Sequence, residues 1–274
     1  LLLVFWFAVT SLWSVRMDRA VVALTTYALL IALTWIIVDF VQSGQEIRWL
    51  TDAVIVYGLV LAVSAIWQYQ GNINQAMSAD ANFRADSIND NPNIAAKYMV
   101  LAMGLLFGRL IFQLNWRAVG INVAGLMTLL LGISATASRG GAVAAAIVIL
   151  AATVFVLYRF GLRRAIGFLL VIGAIVAIIY FALPTSWSVL ERRFNGEGAN
   201  ATGYRTELIA IALRYFWDRP FVGIGLEGFR SYDVALTSLP PHNTYTGILA
   251  ETGLIGIGIF MTLLLVTFRN IWST

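Results

Sequence analysis

Residues 119–158 read VGINVAGLMTLLLGISATASRGGAVAAAIVILAATVFVLY and carry one charge, Arg139. Two apolar runs, Val119–Ala137 and Gly140–Tyr158, flank Ser138 and Arg139, and each is close to the roughly 20 residues that a helix needs to cross a bilayer. A helix satisfies all its backbone polar groups within one such run, so the stretch predicts a helix, a tight turn at a membrane face and a second helix. Working outward, comparable runs lie near Leu1–Val15, Ala20–Val38, Leu50–Trp67, Ile94–Leu114, Ala165–Leu183 and Tyr245–Phe268. The fold class expected is therefore all-α: a polytopic transmembrane bundle of about eight helices.

Composition agrees, because 60% hydrophobic and 12% charged residues exclude a soluble globular domain. The absence of cysteine rules out disulfides, thiolate nucleophiles and thiolate zinc sites, and one histidine cannot build a multi-histidine metal centre. No cofactor is expected and metal-free chemistry is the default, with carboxylate-only Mg²⁺ binding left open. The net charge of +4 lies largely in short loops, which marks membrane topology rather than a nucleic-acid partner. The chain starts inside an apolar run without a Met and stops just past another, so 1–274 reads as one membrane-embedded domain truncated at both ends.

Arg159, Arg163 and Arg164 crowd one turn, Arg109 and Arg117 flank another, and Arg269 follows the last run, which places these sites in the cytoplasm. Alternation then puts Gln68–Asn93, the Arg139 turn and 184–241 on the periplasmic side of an inner membrane. Arg16 and Arg19 fall outside against the rule, with Asp18 between them.

The segment 184–241 is expected to be a long periplasmic loop lying on the membrane surface. Its six arginines are matched by six acids, so an anion site there must come from particular residues. Within it Asn200–Gly203 reads as a breaker and Tyr204–Trp217 as an amphipathic interfacial helix with Arg205 and Glu207 in its first turn, ended by Asp218-Arg219-Pro220. Gly223-Ile224-Gly225-Leu226-Glu227-Gly228 has dinucleotide-fingerprint spacing but lacks the preceding strand and βαβ unit. A tight turn is the favoured reading, and a backbone amide nest facing an anion the second.

Asn89-Asp90-Asn91-Pro92-Asn93 supplies helix caps before an apolar run. Lys97, one turn inside that run, either snorkels to the interface or faces a polar cavity with Arg139. Arg139 itself sits among small residues that permit close helix packing, and its guanidinium suits either a forked phosphate contact or a headgroup and carbonyl-capping role. His242, in Pro240-Pro241-His242-Asn243, is the only side chain that titrates near neutrality, and it stands where the polar segment meets the last run. It suits a general base, or a histidine satisfied by a carbonyl. Asn243 can cap the helix starting at Thr244. Glu251 lies about 12 Å into that helix, where a carboxylate needs a partner such as an arginine. Gly253, Gly256 and Gly258 are expected to form its close-packing face.

Taken as a set, Ser138-Arg139-Gly140-Gly141, Gly203-Tyr204-Arg205, Asp218-Arg219-Pro220-Phe221-Val222-Gly223-Ile224-Gly225, Pro241-His242-Asn243-Thr244-Tyr245 and Glu251-Thr252-Gly253-Leu254-Ile255-Gly256 resemble the O-antigen ligase and polymerase superfamily of Wzy-C type, with a core over 127–268. Ser11-Leu12-Trp13-Ser14 and Asn91-Pro92-Asn93-Ile94-Ala95 resemble it less specifically. The resemblance implies a GT-C-like helical membrane fold and a metal-independent glycosyltransferase. Such an enzyme moves a glycan from undecaprenyl diphosphate to an acceptor on the periplasmic face, the lipid A core in ligases. It also implies that Arg139 and Arg205 bind the diphosphate, that His242 is the base, and that Lys97, Glu251 and Asn243 support them. Membrane lipids are the expected surroundings, and no nucleic acid is expected. Alternatives within the superfamily are an O-antigen or exopolysaccharide polymerase and a protein O-oligosaccharyltransferase. Outside it, a lipid or polysaccharide transporter would need broken helices or repeats.

Overall fold

A computed structural model of the chain describes residues 1–72, 85–112, 115–194, 199–232 and 243–273, with backbone alone for 89, 185–186, 192–193, 199–205, 231–232 and 271–273. They are helical apart from short connections: α1 (Leu2–Ser11), α2 (Met17–Phe40), α3 (Gly44–Gly71), a 3₁₀ turn at Ser87–Asn89, α4 (Pro92–Phe112), α5 (Trp116–Ala135), α6 (Arg139–Phe160), α7 (Leu162–Ala182), α8 (Pro184–Phe194), α9 (Ala199–Asp218), α10 (Phe229–Tyr232) and α11 (Thr244–Ser273). Seven of them, α2 to α7 and α11, are long and apolar enough to cross a membrane. The chain is a polytopic all-α membrane protein. Within the eighth expected run, Leu1–Val15, the described helix is the ten-residue apolar α1.

Two compact units divide the described residues: 43–198, and 1–42 together with 199–274. In the first, α3, α4 and α5 share a core of Leu61, Met99, Met103, Phe107, Leu126 and Leu129. Small residues set the approach of these helices, since a Cβ on Gly58 would lie 2.4 Å from Ala102 Cβ and one on Gly132 2.6 Å from Ala62 Cβ. Helix α6 packs on α4, and α7 adds Ile172, Ile175 and Ile179 to the same core. Asp52 and Arg109 pair between α3 and α4. Outward faces carry exposed Val143, Ile147, Leu150 and Val154 on α6 and Leu169, Leu170 and Ile178 on α7, as suits a surface in lipid.

In the second unit, α9 buries Leu208, Ala212 and Tyr215 against Ile224, Phe229 and Ala250. The helix begins at Ala199, so the expected breaker Asn200–Gly203 is instead its first turn and Arg205 stands in its second. Asn and Thr are well suited to the start of a helix, where local side-chain bonding does not oppose the ladder. The end at Asp218 is as expected, with Pro220 unable to continue the ladder.

Helix α11 departs from a single rod, because Gly253 has φ +68 and ψ −166 and breaks it. Gly253 therefore contributes a break as well as a close approach, and a Cβ on Gly256 would lie 3.2 Å from the Trp6 ring, whereas Gly258 has no atom within 4 Å of a built Cβ. The break is satisfied reciprocally by the chain at 220–225. Leu254 N donates to Pro220 O at 2.8 Å and Ile255 N to Phe221 O at 3.3 Å, while Ile224 N donates to Ala250 O at 3.0 Å and Gly225 N to Glu251 O at 2.9 Å. Non-helical backbone is tolerated at membrane depth when other protein groups satisfy it in this way.

Candidate functional site

Arg139 is the first residue of α6 and half-buried. Ala137, in the left-handed region at φ 45, turns the chain sharply out of α5, and Ser138 caps α6 by accepting from Gly141 N at 3.2 Å. The same hydroxyl donates to Asn93 Oδ1 at 2.8 Å, fastening the start of α6 to the first turn of α4. Gly141 makes the approach possible, since a Cβ there would sit 2.6 Å from Ala96 Cβ, whereas Gly140 faces open space. A cation at the amino end of a helix is unfavourable by itself. An anion placed there would meet both the guanidinium and the first helical amides, which have no partner within the helix.

Asn91 Oδ1 accepts from Asn93 N at 3.0 Å and Ile94 N at 3.2 Å and so caps α4, with Pro92 at its first position. Lys97 lies one turn beyond Asn93 on α4 and is exposed. Sequence reasoning did not anticipate the Asn93–Ser138 bond, whose only trace is a pair of polar residues 45 positions apart.

In the other unit, Asn243 Oδ1 accepts from Tyr245 N at 3.0 Å and Thr246 N at 3.2 Å, capping α11 as expected. His242 falls outside the described residues, as does the side chain of Arg205. Glu251 finds backbone partners, Phe229 N donating to its Oε1 at 3.3 Å and the Glu227 backbone bonding it as well, with an arginine, Arg230, close enough to interact electrostatically. The Gly223–Gly228 stretch is a turn, the favoured reading, and the amide that meets the chain's own carboxylate, Phe229 N, lies just beyond it. Gly223 (φ +70) and Gly225 (φ +100) make the turn, and a Cβ on Gly223 would lie 2.3 Å from the Glu251 carbonyl carbon.

Residues near the amino end hold this turn. Trp13 Nε1 donates to Gly223 O at 3.2 Å, Ser14 Oγ to Leu226 O at 2.6 Å, and Trp6 Nε1 to Thr252 O at 3.0 Å. Gly225 lies against Ser14, whose Cα a Cβ would meet at 2.6 Å. The sequence hinted at this only through the Ser11–Ser14 motif and did not reach Trp6.

A family model described as O-antigen ligase (Wzy_C) matches residues 124–261, just over half of the chain. The chain belongs to the O-antigen ligase family. The matched residues run from α5 through the Arg139 turn, α9 and the Gly223 turn to the break in α11, so the two glycine-dependent backbone features and all of Arg139, Arg205, His242, Asn243 and Glu251 lie inside the ligase match, with Lys97 outside it. No curated protein and no solved structure gives a significant match to this ligase-family chain.

Proposed function

We propose that this ligase-family protein transfers a glycan from undecaprenyl diphosphate to an acceptor hydroxyl at the periplasmic face of the inner membrane, with the lipid A core as acceptor. The observation that carries the reading is Arg139, the first residue of a transmembrane helix whose start is fastened to α4 by the Ser138–Asn93 bond. Within the unit 43–198, span alternation puts the Arg139 turn on the same face as the amino end of α4 and the carboxyl end of α7, which supports a site at that face.

A diphosphate on a lipid is already a good leaving group and needs stabilisation as its charge develops. Arg139 and Arg205 supply it. The acceptor oxygen attacks the anomeric carbon, the bond from that carbon to the diphosphate oxygen breaks, and His242 takes the hydroxyl proton, a step worth about 10²- to 10⁴-fold. Undecaprenyl diphosphate leaves carrying the bonding pair. A single displacement inverts the anomeric configuration, and a retained configuration in the product by NMR would exclude it. Lys97, Glu251 and Asn243 support the site, Glu251 by bracing the Gly223 turn. The polymerase and protein O-oligosaccharyltransferase readings share this chemistry and differ in the acceptor. A transporter would claim the broken α11, but backbone pairing with 220–225 accounts for that break.

Complementation of a ligase-null strain by the full-length protein tests the reading. Wild type should restore the lipopolysaccharide O-antigen ladder, and His242→Ala, Arg139→Ala and Arg205→Ala should not. A ladder restored by all four would refute the site. No ladder with any, at normal expression, would refute the lipid A core acceptor and point to polymerisation.

A further inference from the structure

The unit formed by 1–42 and 199–274 contains a cleft of about 550 Å³ that the mechanism above does not use. One wall is a stripe of α2, Asp18, Arg19, Val22, Ala23, Thr26 and Tyr27, and the other is Glu227 and Arg230 at the end of the Gly223 turn.

Its charges select the ligand. Two carboxylates and two guanidiniums line it, so a diphosphate would face Asp18 and Glu227, and a lipid chain would desolvate four charged groups. A divalent cation fits no better, since no group of three or more acidic or histidine side chains is gathered for a metal among the described residues. Asp18 pairs with Arg16, with Nε–Oδ1 at 2.8 Å and Nη2–Oδ2 at 2.7 Å, and its carboxylate keeps further lone pairs for incoming donors. Arg230 Nε reaches Glu227 Oε2 only at 3.9 Å, which leaves both groups capacity for other partners. Fixed donors and acceptors of both signs, above an apolar floor of Val22 and Ala23 and beside the Tyr27 ring, suit hydroxyls that donate and accept at once.

Backbone geometry points the same way. Glu227 adopts φ 57 in the left-handed region, in a turn that already uses glycine at 223, 225 and 228. Glycine would occupy position 227 without strain, so the side chain rather than the backbone is the reason for glutamate there.

We infer that this cleft is a carbohydrate subsite, in which Glu227, Asp18, Arg19 and Arg230 bind sugar hydroxyls of a substrate glycan. The inference rests on the glycosyl-transfer reading for the two sources of sugar, the donor glycan and the acceptor oligosaccharide.

The test uses full-length protein in nanodiscs and two soluble probes: the O-glycan released from its lipid diphosphate, and the core oligosaccharide released from lipid A. Affinity is measured for wild type, Glu227→Gln, Thr26→Trp, which fills the cleft from an exposed position, and His242→Ala. Glu227→Gln and Thr26→Trp should weaken one probe about tenfold, the range expected for losing a hydrogen bond to a charged group. The probe affected identifies donor or acceptor. His242→Ala should bind like wild type while losing transfer; if it transfers normally, the mechanism fails and the cleft still stands on its binding data. Binding of both probes unchanged in the two cleft variants, or absent in wild type, would overturn the inference.

Discussion

Two adjacent glycines after Arg139 behave differently, and the difference follows from what each would touch. A Cβ on Gly141 collides with Ala96 on α4, while Gly140 faces open space. Gly140→Ala should therefore fold and function like wild type. Gly141→Ala should lower the thermal midpoint and transfer together, because the Ser138–Asn93 bond that positions Arg139 depends on the close approach it blocks. Equal behaviour of the two variants in a thermal-shift and transfer assay would contradict this placement. Ser138→Ala removes both a helix cap and the Asn93 bond, and an N-cap loss alone is worth about 1 kcal/mol of stability. At this scale the sequence identified Arg139 and its small neighbours, but not which glycine mattered, because contact with α4 is a tertiary fact.

The paired break at Gly253 and turn at Gly223 decide how α11 is built. Gly253 has φ +68, and a Cβ there would lie 2.3 Å from the Phe221 carbonyl carbon, so both backbone conformation and space demand glycine. Gly253→Ala should fail to accumulate or show a much lower thermal midpoint, whereas Gly258→Ala, in open space, should match wild type; normal stability of Gly253→Ala would refute the break. The transmembrane runs were legible from composition because each helix must be apolar along its length. The break was not, since glycine in an apolar run signals close packing as readily as a kink, and the groups that satisfy it lie some thirty residues upstream. The start of α9 was misread for a related reason: Asn, Thr and Gly mark a loop or a helix's first turn alike.

For the whole molecule, the loop arginines predict that the turn after α1 faces the periplasm and the short link between α6 and α7 the cytoplasm. These 274 residues hold no cysteine, so single replacements among them report topology cleanly. In intact cells opened only at the outer membrane, an impermeant maleimide should label Val15→Cys and spare Leu162→Cys until the inner membrane is permeabilised; the reverse would invert the orientation. The candidate site was legible as a set of motifs rather than as a geometry. Its parts are dispersed from α4 to α11, and no local spacing brings Arg139 towards Arg205 or His242. On the proposed mechanism, transfer needs Arg139 and no metal. The most direct test is the rate of glycan transfer from undecaprenyl diphosphate by reconstituted full-length protein in excess EDTA, wild type against Arg139→Ala. Wild type should keep its full rate in EDTA, and Arg139→Ala should lose about 10²- to 10³-fold, the scale for removing a donor that stabilises developing charge. Transfer abolished by EDTA in wild type, or an Arg139→Ala rate within a few-fold of it, would contradict that mechanism.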